Sequence, residues 1–553
     1  MMHLKRRTKL LGCVFFMTVC INFCFKTNFL NFKRLLSLNG CAIIEKGSKI
    51  TKLPFRKIIW GFLQMNSVNL IYNVKDKPGL WKTLVFAFQQ VLAILAATIV
   101  VPVIINSSDA GVAAGAQMSQ SAALIGAGIG TLVYLCFTKF KSPVFLGSSF
   151  AFIGSMCAAF GGAGAYACLG YLGLIIGAAF AGLVYVIIAL VVKYAGVAWI
   201  DKIMPPAVIG PIVAVIGLSL AGNAVGDLFK GSVTELVAVP TIKEGVIVNV
   251  MTPTPVASPY LALLCGLVTL FTVIACSVYG KKMMKMIPFI LGILAGYVVA
   301  AIFTVIGILT ETPALQIINF SLFKDMAWLP EFTFVEAFKG IKDVTNFNWG
   351  AYIVTLVVAY VPVAFVVFAE HLADHKNISF IIGTDLTKDP GLHRTLLGDG
   401  VGSMVGAIFG GCPNTTYGES VGCVAISGNA SVVTIFTAAI ICIVSAFVAP
   451  FVTFLATIPS CVMGGVCFAL YGFIAVSGLK MVQKVDFNKN RNLFTVSVVL
   501  IAGVGGMVVN VGAVTLTSVA CALILGVLVN LLTLKDAKND EAKTVETTQE
   551  TQE

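Results

Sequence analysis

The stretch GCPNTTYGES, residues 411–420, sets a proline, three small polar residues, a tyrosine and a glutamate inside a chain otherwise dominated by long apolar runs. Of the 553 residues, 58% are hydrophobic and 11% charged, against roughly 25% charged in soluble domains, and the mean hydropathy is +0.96. Apolar runs of about 20 residues recur along the chain, each long enough to cross a hydrocarbon core of about 30 Å as a helix. Barrel strands are shorter and alternate in polarity, so the pattern describes an all-α polytopic membrane protein. A polar break at that depth is tolerated only where its backbone is buried in protein or lines a cavity.

Working outward from the break, apolar spans fall at about 83–106, 113–137, 144–160, 166–192, 204–226, 258–279 and 286–310. A second set follows at about 350–374, 393–410, 414–427, 431–450, 459–482, 493–512 and 514–534. The two groups of seven echo each other in order: GSSF (147–150) matches NTTY (414–417), and MPPAVIG (204–210) matches IPSCVMG (458–464). Seven is odd, so the second copy enters the membrane from the opposite face and the repeats are inverted. Short, Gly- or Pro-interrupted spans at matching positions of inverted repeats mark the binding site of a secondary transporter. The third and tenth spans fit, each preceded by Pro and rich in Ser, Thr and Gly. Backbone N–H groups that open the helix after each break point into the site with the positive end of its dipole.

Charge placement sets orientation and excludes a function class. The formal charge is +12, but residues 1–64 hold 12 Lys/Arg and one acid, which leaves the remainder at +1. That basicity belongs to a leader and to inside loops, not to a nucleic-acid surface. Lys139, Lys141, Lys193, Lys202, Lys281, Lys282 and Lys285 fall in alternate connections, as do Lys376, Lys388, Arg394, Lys480, Lys484, Lys489 and Arg491. Cytoplasmic N- and C-termini and a location in the cell membrane follow. Residues 1–64 read as an upstream leader or extension and 65–82 as a cytoplasmic N-terminus. Residues 535–553 read as a polar cytoplasmic tail. No CxxC pair or Cys/His cluster has zinc spacing, and no nucleophile, base and cofactor motif converge, so neither a metal, an organic cofactor nor an enzyme activity is expected.

Ionisable residues inside a membrane are costly and call for a reason. Glu370 follows the apolar run 352–369 in VVFAEHLADH, and Asp374 lies one turn on, on the same helix face. Paired carboxyls in a poorly hydrated place are suited to carrying a proton. Glu419 opens the tenth span's helix. Asp399 is assigned to helix packing, His371 and His375 to the interface, and Gln90, Gln117 and Gln120 to the cavity or to bonds between helices. Two acids, two sets of backbone N–H groups and the rings of Phe150 and Tyr417 suit a small flat ligand with N–H donors and carbonyl acceptors, such as a pyrimidine-dione or oxidised purine.

These residues resemble the nucleobase:cation symporters, also called nucleobase–ascorbate transporters, and within them the uracil permeases. The resemblance runs from Val74 to Leu534 through KDKPGLWKTLVFAFQQVLAILAATIVVPV, SPVFLGSSFAFIGS, MPPAVIGPIVAVIGLSLAGNAV, AEHLADH, KDPGLHRTLLGDGVGSMVGAIFGGCPNTTYGES and GGVCFALYGFIAVSGLK. It implies a fourteen-segment, seven-plus-seven fold with short paired strands in segments 3 and 10. A core domain (83–195 and 346–452) would move against a gate domain (196–345 and 453–534), in a homodimer. Carried over by position, Glu370 and Glu419 would bind the base, with Phe150, Tyr417 and the backbone at Ser149 and Gly418. Ala97 and Tyr471 lie nearby, and Glu370, Asp374 and Gln90 would serve proton coupling. Gln90 stands where uracil permeases often have His, Asp374 where purine-transporting relatives have Asp, and Ser420 where Asn is usual. The implied activity is proton-coupled uracil import by alternating access. The alternatives are a xanthine or other purine symporter of the same family, or an anion exchanger or channel on the same architecture.

Overall fold

The computed structural model describes residues 70–533, apart from 165, 197–198, 200–202, 244–245, 282–283, 286, 325, 327, 484 and 512–513. The leader over 1–64 and the tail over 535–553 lie outside the described residues. Long apolar runs form long helices, in which every backbone polar group is satisfied within the segment. The first is α1 (Leu80–Ser107). After a short α2 (Asp109–Ala114) and a turn at Gly115 (φ 69°) comes α3 (Gln120–Phe137). The span drawn from 113 thus starts later, because Gly115 closes one helix and Ser119 caps the next, accepting from the Ala122 N–H.

The third span is broken as anticipated. Strand β1 (Leu146–Ser148) is followed by a 3₁₀ turn at Phe150–Phe152 and by α4 (Ile153–Ala163). Then come α5 (Ala167–Ala195), α6 (Pro206–Ser219) and α7 (Ala221–Asp227). A hairpin of β2 (Thr234–Lys243) and β3 (Val246–Pro255) occupies the segment that the hydropathy leaves as a loop. Helices α8 (Pro259–Tyr279) and α9 (Pro288–Leu309) close the first half, and the short α10 (Thr333–Phe338) lies between the halves.

The second half opens with α11 (Trp349–Ile382), 34 residues long, capped by Asn348 and ended at Gly383 (φ 67°). At 1.5 Å per residue this is about 50 Å, longer than the hydrocarbon core. Helix α12 (Leu392–Gly410), strand β4 (Asn414–Thr416) and α13 (Gly418–Ser427) follow. The next apolar run is α14 (Val432–Ser445) and α15 (Ala449–Thr457), bent by 82° between them. Helix α16 (Ser460–Val482) is continuous. The last two runs depart from continuous helices: α17 (Asn490–Val504) and α18 (Ser518–Leu532) flank a hairpin of β5 (Val509–Val511) and β6 (Val514–Leu516). Gly505 and Gly506 stop α17, and the Val/Thr-rich segment beyond favours strands.

Among the described residues, eight helices are long and apolar enough to cross a membrane, and α14–α15 makes a ninth if counted as one bent span. The protein is a mostly helical polytopic membrane protein. Matching members of the two halves pack on each other through small residues, the usual device for helix contact in lipid. In α3 against α12, a Cβ on Gly126 would fall 2.5 Å from the Gly406 carbonyl oxygen. In α6 against α16, one on Gly478 would fall 2.2 Å from the Ala214 nitrogen. Strands β1 and β4 pair antiparallel in the register Leu146↔Thr416, Gly147↔Thr415 and Ser148↔Asn414.

Candidate functional site

The buried strand pair precedes two short helices, α4 after a 3₁₀ turn and α13 directly. Neither, at eleven and ten residues, can cross a core that requires about 20. A cavity of about 500 Å³ lies at the 3₁₀ turn before α4 and at the start of α13, where helical amides begin without carbonyls behind them. Phe150, Glu370, Asp374, Tyr417, Gly418 and Glu419 all line it.

Glu370 is exposed to the cavity, and Glu419 is half-buried at the first turn of α13, where a negative charge meets the positive end of the helix. Asp374 is nearly buried and accepts a hydrogen bond from Thr416 Oγ1 at 2.8 Å, which ties α11 to β4. Tyr417 contributes its ring but not its hydroxyl. The O–H donates to the Ser148 carbonyl oxygen at 2.8 Å, and the ring lies so close over Gly147 that a Cβ there would be 2.3 Å from it.

Other sequence candidates take different positions. The Ser149 amide donates to the Pro413 carbonyl at 2.9 Å and is already used inside the frame; the opening amides of the 3₁₀ turn, from Phe150 on, are the ones left toward the cavity. Ala97 and Tyr471 are buried, outside the cavity wall; the Tyr471 ring packs edge-on against Phe150 with centroids 6.1 Å apart. Gln90 bonds through Nε2 to Ser420 Oγ, which also accepts from the Phe145 amide at 3.0 Å. Two of the three positions that depart from the usual residues, Gln90 and Ser420, therefore touch each other. Gln117 is exposed and Gln120 half-buried at the start of α3.

His371 and His375 are not interfacial. Both are fully buried, their rings stacked 3.9 Å apart. His371 Nδ1 lies 2.6 Å from Asp399 Oδ2 and its Nε2 is 3.0 Å from Thr395 Oγ1; His375 Nε2 lies 2.7 Å from the Tyr134 hydroxyl. The reason is angular. One residue on from 370 and 374 is a turn of about 100° around α11, which aims these rings at α12 and α3 instead of the cavity. Asp399 packs helices, as expected of it.

Composition alone did not reveal Thr415, Asn377, Ser277, Lys285 and Ser477, which also line the cavity. Thr415 Oγ1 is buried with no hydrogen-bond partner among the described residues. Asn377 could have been found by continuing the face of 370 and 374 one further turn. Among the described residues, no group of three His, Cys, Asp or Glu side chains could hold a metal ion.

Comparison with known proteins assigns the family of the chain. The model of the Permease family (Xan_ur_permease) matches residues 81–512. The chain belongs to this family. It is 36% identical over 490 residues to the uracil permease of Bacillus subtilis (strain 168), covering 88% of this chain and 99% of that one. It is 35% identical over 462 residues to the uracil permease of Escherichia coli (strain K12), covering 83% and 93%. The putative pyrimidine permease RutG of Escherichia coli (strain K12) is 31% identical over 459 residues, covering 82% and 89%. Among solved structures, the inward-facing murine anion transporter Slc26a9 matches with a TM-score of 0.54 at 13% identity, over 89% of this chain and 74% of that one. At that identity the likeness is one of fold. A member of this permease family is a multi-pass membrane transporter and not an enzyme.

Proposed function

We propose that this chain imports uracil together with a proton across the cytoplasmic membrane by alternating access. The observation that carries the reading is the pair of carboxylates, Glu370 and Glu419, on the wall of a cavity bordered by the 3₁₀ turn before α4 and by α13. Uracil is flat, with two ring N–H donors and two carbonyl acceptors. Carboxylates accept the N–H groups, the opening amides of α13 and of the 3₁₀ turn donate to the carbonyls, and the Phe150 ring covers a face. Hydrogen bonds to an ionised partner are worth about 1.5–3 kcal/mol each, enough to select a base that presents donors. The similarity to uracil permeases supports this substrate over a sulfate-like anion, which two acids would repel.

Coupling follows from charge. Glu370, Asp374 and Glu419 bring three acidic groups to one cavity, and moving net charge through the membrane is costly. A proton accepted at Glu370 removes part of that charge when the base is aboard, and the carbonyl oxygen of the protonated carboxyl still accepts a ring N–H. In this proposal fourteen segments form a core domain (83–195 and 346–452) that carries the base against a gate domain (196–345 and 453–534). The protein works as a homodimer with both termini cytoplasmic. The cavity reaches Ser277, Lys285, Asn377 and Ser477 near the Lys-bearing connections, which makes the present conformation inward-open in this orientation. A purine is the second reading, since a cavity of about 500 Å³ has room for two fused rings.

The test is uptake of labelled uracil by proteoliposomes with and without an inward proton gradient, competed by xanthine and hypoxanthine. Glu370→Gln is expected to lose gradient-driven accumulation. Full accumulation by that variant would remove the coupling proposal, and uptake of xanthine without uracil would remove the substrate.

A further inference from the structure

A half-helix of ten residues receives its position from what holds its two ends. At the opening of α13, the Ser420 hydroxyl is joined to Gln90 of α1 and to the Phe145 amide. The closing end is held by a segment that no site assignment includes, residues 70–76 just before α1. Gly428 ends α13 at φ 68°. Its carbonyl accepts from the Ile71 amide at 2.7 Å and the Tyr72 amide at 3.2 Å. The ladder continues: the Ala430 amide donates to the Tyr72 carbonyl at 2.9 Å and the Val432 amide to the Val74 carbonyl at 3.1 Å. Ser431 Oγ donates to the Asp76 carbonyl at 2.6 Å. Tyr72 is fixed in turn by Lys82 of α1, whose Nζ donates to its hydroxyl at 3.2 Å, and by Phe86, edge-on at 6.2 Å.

The dimensions match. From Leu80 to Gln90 along α1 is about 15 Å, and from Ser420 to Gly428 along α13 about 12 Å. One tie joins the opening turn of α13 to α1, and the other joins its closing residue to the segment before α1, two residues beyond Ile426 on the cavity wall. On the connection's side, Asn429, Ala430 and Ser431 are all buried, while Ile71 on the strap is exposed. Two of its bonds fall on Gly428, the residue that closes α13, and the others on the short connection 430–432 that leads into α14.

We propose that residues 70–76 are a positioning strap that sets the depth and tilt of α13 and thereby the placement of Glu419 against the base. The proposal rests on the reading of Glu419 as a base-binding residue. None of the strap residues touches the ligand. Their effect passes through α13, so their loss weakens binding without altering the chemistry of the cavity wall.

The test uses the purified full chain and a double-substitution cycle, which isolates coupling between sites. Ile71→Pro removes one amide donor at a residue whose side chain is exposed, Ile71→Ala keeps that amide, and Ser431→Ala removes the bond to Asp76. Binding of uracil, thymine, xanthine and hypoxanthine is measured first, and the tightest-bound base is used throughout. Ile71→Pro and Ser431→Ala are expected to raise its Kd about three- to tenfold, as loss of about one net hydrogen bond does. Ile71→Ala leaves Kd unchanged, and in a Glu419→Gln background the strap variants add little further loss. An equal loss in that background, an unchanged Kd, or the same loss in Ile71→Ala overturns the strap. Failure of both strap variants to accumulate as folded protein would make the segment a folding element and overturn positioning as well. A protein that prefers xanthine overturns the uracil assignment while the cycle still reads the strap; one that binds no base overturns both.

Discussion

The two broken segments share a frame and differ in chemistry. Each is a three-residue strand followed by a helix too short to cross the bilayer, and the strands pair so that Gly147 faces Thr415. The first copy brings the Phe150 ring and Ala151 to the cavity wall, and it spends the Ser149 amide on Pro413. The second brings Thr415, Thr416, Tyr417, Gly418 and Glu419. It also orients Asp374 through Thr416 and is tied at one end to α1 and at the other to the segment just before it. Inversion therefore duplicates the opening in the backbone but not the groups that read a ligand. In the proposed reading, the first copy supplies a surface and the second supplies recognition.

The sharpest test of that division sets Glu419→Gln against Phe150→Leu. Loss of a charged acceptor costs about 1.5–3 kcal/mol, so Glu419→Gln is expected to weaken uracil binding by about ten- to a hundredfold. Phe150→Leu keeps an apolar wall and is expected to weaken it by less than about tenfold, since aromatic contacts add about 0.5–1.5 kcal/mol beyond area. Equilibrium binding to purified protein gives both values. Equal losses would mean that the two copies share recognition, and the asymmetry argued from the lining would fail.

A second pair of substitutions probes the frame. Adding a methyl at Gly147 sets it 2.3 Å from the Tyr417 ring, which is held in place by its bond to Ser148. Overpacking of this kind costs about 1–3 kcal/mol, and Gly147→Ala is expected to lower both the melting temperature in detergent and the transport rate severalfold. At Gly418 the same methyl would meet only Asp374 Oδ1, at 3.9 Å. Gly418→Ala is expected to leave the melting temperature unchanged and to shift preference toward the smaller of two competing bases by less than about fivefold. A stability loss at 418 comparable to that at 147 would show that α13 starts in tighter surroundings than the cavity implies.

Much of this frame was legible because hydropathy, Pro/Gly breaks and repeated small hydroxyl motifs are local signals. GSSF against NTTY located both broken segments, and the spacing of Glu370 and Asp374 located their shared face. What escaped was rotational or long-range. His371 and His375 differ from their neighbours only by a turn of about 100°, and no local pattern says that Tyr134, Thr395 and Asp399 wait on that side. Ser149 belonged to the right motif, yet its amide proved to be spent on a residue 264 positions away in the chain, Pro413. The strands at 509–516 read as apolar spans because β-branched residues are hydrophobic in either conformation. The bond between Gln90 and Ser420 joins residues whose separation hides it from any window of sequence.

The smallest effect separates ring from hydroxyl at Tyr417. Its ring lines the cavity, but its O–H donates to the Ser148 carbonyl across the strand pair. Tyr417→Phe keeps the ring and removes that bond, at about 1 kcal/mol net. The cost should fall on the union of the two copies and not on the ligand. Uracil Kd is expected to stay within about twofold while the melting temperature falls by a few degrees. A large rise in Kd with unchanged melting would mean that the hydroxyl turns to the base in the bound state, and the second copy would then recognise its ligand with one more group than the strand pair leaves free here.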